Sequence, residues 1–151
     1  SRTQPVRIGR AGLTQVLGRI GEIMGTMLAA AIDSQLSRDG FNLTDKISGI
    51  ASDFAARGFS QPSGPMYKSI DELCVSRMEQ TVDAAIAVYK ERLANGLAQS
   101  ELKADLITYL QSRLGSLAAT ALGSYNRPSS QSSQAMMDSK VRSLLAKAEH
   151  A

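Results

Sequence analysis

From Leu102 to Ala121 an apolar residue returns at every third or fourth position: Leu102, Leu106, Leu110, Leu114, Leu117 and Ala121. That spacing lines one face of an α-helix. The run also outlasts ordinary strands of about 3–10 residues. The same rhythm recurs along the chain. Leu43, Ile47, Ile50 and Phe54 form one stripe. Val75, Met78, Val82, Ala85 and Tyr89 form another, on the side that also carries Ile70, Cys74, Ile86 and Leu93. Repetition of this pattern constrains the fold class to all-α. We expect four to five amphipathic helices arranged as a hairpin or bundle, or as an elongated rod.

Punctuation residues set the expected boundaries. Asn42 is placed to cap a helix over 43–57, with Asp45 in its first turn, and Gly58 is placed to end it. GFSQPSGP, residues 58–65, forces a sharp connection. The next helix runs to about Ala94, either from Ser69 and Glu72, spaced as a capping box, or from a turn earlier. Asn95-Gly96 either closes it or leaves one rod over 66–122, about 85 Å long at about 1.5 Å per residue. The following helix spans 100–122. Residues 123–134, GSYNRPSSQSSQ, read as a flexible Ser/Gln-rich linker. A last amphipathic helix over 135–151 carries Met137, Val141, Leu144 and Ala148 on one stripe. With Met136 beside them, Met137, Val141 and Leu144 are the candidate partner-docking residues, because methionine adapts to irregular surfaces.

The first helical stretch, about 11–36, has glycines on its packing side. Gly21, Gly25 and Ala29 share one face, and Gly18 lies beside it. Each interior glycine costs about 1 kcal/mol relative to alanine. The grouping therefore predicts close approach of another helix. Residues 13–32 also have the length of a membrane span. Gln15, Arg19 and Glu22 lie inside it, and a charge at the bilayer centre costs about 2.5–3.5 kcal/mol. A helix packed in a protein interface is the expectation, and a transmembrane helix or an interfacial, membrane-active one are the alternatives. The helical domain is thus expected over 11–122, preceded by a basic, flexible N-terminal arm over 1–10. Arg2, Arg7 and Arg10 make that arm a candidate polyanion contact. Arg127 and Lys140 mark a second basic region.

Composition narrows the function. Aromatic residues make up 5% of the chain, with no tryptophan, and the net charge is +3. The aromatic payload of a large compact core is missing. The basic excess is far from the stripe of a dedicated nucleic-acid binder. No aromatic residues interleave with the arginines as a single-strand platform requires. The single histidine, His150, leaves one candidate base for any nucleophile, and it stands near the end of the sequence. Cys74, the sole cysteine, lies among Ile70, Leu73 and Met78 and reads as a small buried hydrophobe. Zinc-ligand spacing and a phosphate-binding glycine loop are both missing. We therefore expect no enzymatic activity, no cofactor, no metal site and no small-molecule substrate. No secretory signal pattern is legible, and a virion or host cytoplasm is the expected location.

One local motif resembles a known family. Arg57, Gly58 and Phe59, two further residues, then Pro62, Ser63 and Gly64, are similar to a turn in helical structural proteins of tailed-phage virions. There an RGF, two residues and PPG connect a shorter helix to a long one. Ser63 stands here in place of the second proline, and Pro65 follows. The resemblance covers about residues 44–95. It implies a virion or tail component and transfers no catalytic residue. The functional expectation is a structural or assembly protein of a phage particle, acting by helix–helix contacts in a homo-oligomer and with other structural proteins. A membrane-active protein, ejected or secreted, is one alternative. A helical adaptor or nucleic-acid accessory protein is the other, with non-specific contacts to nucleic acid.

Overall fold

The computed structural model describes residues 28–59 and 62–151. All regular structure among them is helical. A helical run over residues 28–37 (α1) is followed by α2 (Leu43–Ala56), α3 (Gly64–Ala94), α4 (Gln99–Leu122) and α5 (Gln131–Glu149). Arg2, Arg7, Arg10, Gly18, Gly21 and Gly25 lie outside the described residues, as does most of the membrane-length segment.

The α3–α4 hairpin is the frame, and Gly96 makes it. Its φ of +84° places it in the left-handed region. Asn95 N–H reaches Glu91 O at 3.2 Å, Gly96 N–H reaches Leu93 O at 3.0 Å, and Leu97 N–H reaches Arg92 O at 3.4 Å. These bonds satisfy the last carbonyls of α3 as a glycine C-terminal turn does. Residues 66–122 are therefore two helices folded back on each other, and the rod is excluded. Met78, Val82, Ala85 and Tyr89 join Leu102, Leu106, Leu110 and Leu114 in one buried cluster. Full burial of such a leucine contributes roughly 1.5–3 kcal/mol.

The start of α3 differs from the capping-box expectation. The helix begins at Gly64, with Ser63 extended as N-cap and Pro65 in its first turn. Ser69 and Glu72 lie inside it. Proline is favoured there because its missing N–H would have no intrahelical partner. Ahead of it, α2 follows its stripe. Asn42 Oδ1 accepts from Asp45 N–H at 3.1 Å, Ile47 and Phe54 are buried, and Gly58 turns the chain at φ +95°.

The expected linker is shorter than 123–134. Ser130 caps α5, which starts at Gln131 rather than Ala135, so the second half of the serine-rich stretch is its first turn. Serine is poor inside helices but satisfies free N–H groups at their starts. At the far end of α5, Lys103 Nζ on α4 donates to Ala148 O at 3.2 Å and to Glu149 O and Ala151 O at 2.9 Å each. The ammonium also sits 4.7 Å from the Tyr89 ring centroid. A cation at a helix C-terminus is favourable because unpaired carbonyls gather there. It fixes the end of α5 beside the start of α4, so the two run antiparallel.

Candidate interaction surface

Polar side chains mostly fasten helices together. The most enclosed case is Arg127, in the connection between α4 and α5. Its Nη1 donates to Asp71 Oδ1 at 2.5 Å and its Nη2 to Asp71 Oδ2 at 2.9 Å. Nη1 also reaches Ala121 O at 3.3 Å, and Nη2 reaches Ser133 Oγ at 3.2 Å. The two side chains are only 8% and 10% exposed. The bidentate fork holds its charge strongly, and the Asp71 hydrogen bonds push the guanidinium above its ordinary value. Tyr67 stacks nearby, its ring centroid 5.2 Å from the guanidinium, and its hydroxyl donates to Tyr125 O at 3.1 Å. Tyr125 and Asn126 are held there with φ of 51° and 54°. Such a conformation in a bulky residue persists when its surroundings over-determine it. The connection is thus pinned at Arg127, against the flexibility expected of a polar serine-rich stretch.

This pairing removes Arg127 from polyanion contact. Lys140, its companion in the second basic region, lies 2.8 Å from Glu79. A second polar cluster lies where α1 meets α3 and α4, around a cleft of about 320 Å³. Asp33 accepts from Tyr109 Oη and Arg113 Nη2, both at 2.7 Å. Arg77 binds Asp39 at 2.8 Å and Leu36 O at 3.2 Å, and lies 4.1 Å from the Phe41 ring centroid. Burial, with Asp33 as acceptor, pushes the Tyr109 hydroxyl well above its ordinary value. Both cations there face a carboxylate. These contacts tie the end of α1 to α3 and α4.

The remaining candidates separate in space. Cys74 is fully buried, and burial, reinforced by Asp71, pushes its thiol up to about 11. His150 is exposed beyond the end of α5, away from that thiol's buried setting. Among the described residues no cluster of three metal-ligating side chains occurs, and no helix is long and apolar enough to cross a membrane. Arg57 stacks 5.2 Å from the Phe54 ring centroid. Phe59, 43% exposed, has its ring 5.4 Å from that of Phe54. Pro62 and Gly64 meet Tyr67, Pro128 and Met136 around an open groove of about 690 Å³. The turn and the start of α5, far apart in sequence, therefore share one surface.

The stripe of α5 serves its own core first. Met137 is fully buried, Leu144 is buried, and Val141 packs half-buried against the cluster, whereas Met136 is 49% exposed. Of the residues expected to dock a partner, only Met136 is exposed. Ala29 is half-buried on α1, next to the buried Leu28.

A surface that the sequence reading passed over lies along the outside of α4 and α5. Gly115, Ala118, Ala119 and Leu122 of α4 and Asp138, Val141 and Arg142 of α5 enclose a groove of about 520 Å³. From Gly115 to Thr120 the exposed residues of α4, Gly115, Ser116, Ala119 and Thr120, are small and uncharged. Among the described residues a Cβ at Gly115 would meet nothing within 4 Å, so their packing does not require the glycine. A glycine inside a helix nonetheless costs about 1 kcal/mol relative to alanine. The readable signal was Gly115 and Ala119 at i, i+4, hidden beside the stronger leucine stripe. No protein family, curated protein or solved structure matches this chain.

Proposed function

We propose that this chain is a helical assembly protein that works through protein–protein contacts in a homo-oligomer and catalyses no reaction. One observation carries this reading. The described polar clusters hold helices to one another, and open grooves lie between helices, the α4–α5 one floored by small and apolar residues of α4 with Asp138 and Arg142 at its rim. Such grooves suit other helices, which bury ridges of side chains in them.

A place in a phage particle is the more specific form of the proposal. Its support is the resemblance at Arg57–Gly64, where a helix of 14 residues is followed by one of 31, in the order that the resemblance implies. Native mass spectrometry of the full chain at tens of micromolar tests the assembly role. A defined oligomer is expected. A well-folded, strictly monomeric chain at that concentration refutes it.

A further inference from the structure

Building on the assembly role proposed above, we propose that a second copy of this chain covers the α4–α5 groove, with the two copies related by a two-fold axis passing near Ala118 and Ala119. Three observations converge. First, the groove floor is open at Gly115, where among the described residues a Cβ would meet nothing within 4 Å. Leu122 lies two turns along the same helix and lines the same groove. An antiparallel crossing of two α4 helices sets Leu122 of each copy over the Gly115 notch of the other. The exposed small residues between them let the backbones approach closely, as ridge-and-groove packing requires.

Second, the rim is electrically self-complementary. Asp138 and Arg142 are one turn apart on α5 and both border the groove. Among the described residues Arg142 Nε bonds only the backbone oxygen of Asp138, at 3.4 Å. Among the described residues neither side chain forms an ion pair, although Lys140 and Lys147 on the same helix both do. Across a two-fold axis, Asp138 of one copy meets Arg142 of its partner, and the pairing repeats in reverse. A patch that binds itself must place opposite charges symmetrically about its centre, and Asp138 and Arg142 satisfy that condition. Third, the groove face of α4 carries no charge from Gly115 to Gly123, so pairing the two copies desolvates no ion at the centre.

The test uses the full chain and sedimentation equilibrium. Ala119→Arg places a long cation at the centre of the groove, and circular dichroism checks that the exposed site leaves helicity intact. The expected result is a pair of copies weakened by about a hundredfold or more, as for central interface positions. Asp138→Arg alone weakens association, and Asp138→Arg with Arg142→Asp restores it. If the wild type associates and both Ala119→Arg and Asp138→Arg associate equally well, this face is not the interface, while the assembly role stands. If the wild type is monomeric at tens of micromolar, both proposals fall, and the groove belongs to a different protein or to none.

Discussion

Replacing Arg127 or Asp71 singly by alanine should be among the most destabilising polar changes available. Each removal strands a charge that is about nine-tenths buried, with its partner 56 positions away in sequence. Breaking such a pair costs about 3–5 kcal/mol, because the remaining ion has lost both water and counter-charge. Folding stability itself is only about 5–15 kcal/mol for a typical domain. Urea unfolding followed by circular dichroism should show that loss. Thermal midpoints should fall by roughly 6–20 °C for a chain of this size. The double variant should cost less than the sum of the two singles, with coupling of about 2 kcal/mol or more, since it strands no ion. Lys147→Ala is the internal control. Its partner is Asp83, both side chains are more than half exposed, and such pairs contribute about 0–1 kcal/mol. Hydrogen exchange should also rise across residues 123–130 in the Arg127 variant, where the connection loses its anchor. Single-variant losses below about 1 kcal/mol, at the level of exposed pairs, would refute the reasoning, and so would strict additivity.

Asp105 should respond in the opposite sense. Burial and, secondarily, Glu101 raise its carboxyl above the ordinary value, and among the described residues Oδ2 is buried without a partner. A carboxyl raised on folding contributes stability at pH below its unfolded value that is lost as pH rises through its folded value. Asp105→Asn should therefore stabilise at pH 7 and match the wild type near pH 3, as read from urea midpoints. Cys74 should resist an aromatic disulfide reagent in the native state and react on unfolding. Its contribution should fade as pH rises from about 9 towards about 11, because unfolding frees a thiol that ionises more readily. Gly96→Val should cost about 1–2 kcal/mol by forcing a left-handed conformation on a side chain. Gly49→Ala, in mid-helix with open space around its Cβ, should gain about 1 kcal/mol. Thermal melts compare the two.

Legibility varied with the range of the forces involved. Asn42 and Gly58 act within one turn of the backbone, so the limits of α2 could be read from adjacent residues. At α3 two local signals competed. Pro65 at the first turn prevailed over the Ser69–Glu72 spacing, because a proline already free of its N–H starts a helix at little cost. The serines before α5 looked like a linker by composition, and their role changed once Ser130 became a cap. Gly96 was readable as a stop or as a soft point. Packing of Met78, Val82, Ala85 and Tyr89 of α3 against the leucines of α4 decided for the stop.

The candidate surfaces were harder to read because they join distant residues. Asp33 meets Arg113 across 80 positions of sequence, and nothing in the local pattern names that partner. Arg127 looked like a free basic residue until Asp71 was beside it. Met136 and Met137 are neighbours in the chain, yet one is 49% exposed and the other fully buried, as helical geometry turns adjacent residues about 100° apart.

The leucine stripe of α4 marks the all-α class for a local reason: helix periodicity and caps are written within a few residues. Which helix each stripe faces, which charges are spent on one another, and which groove stays open were settled in three dimensions. Those outcomes depend on contacts between segments whose separation in sequence carries no signal of their meeting.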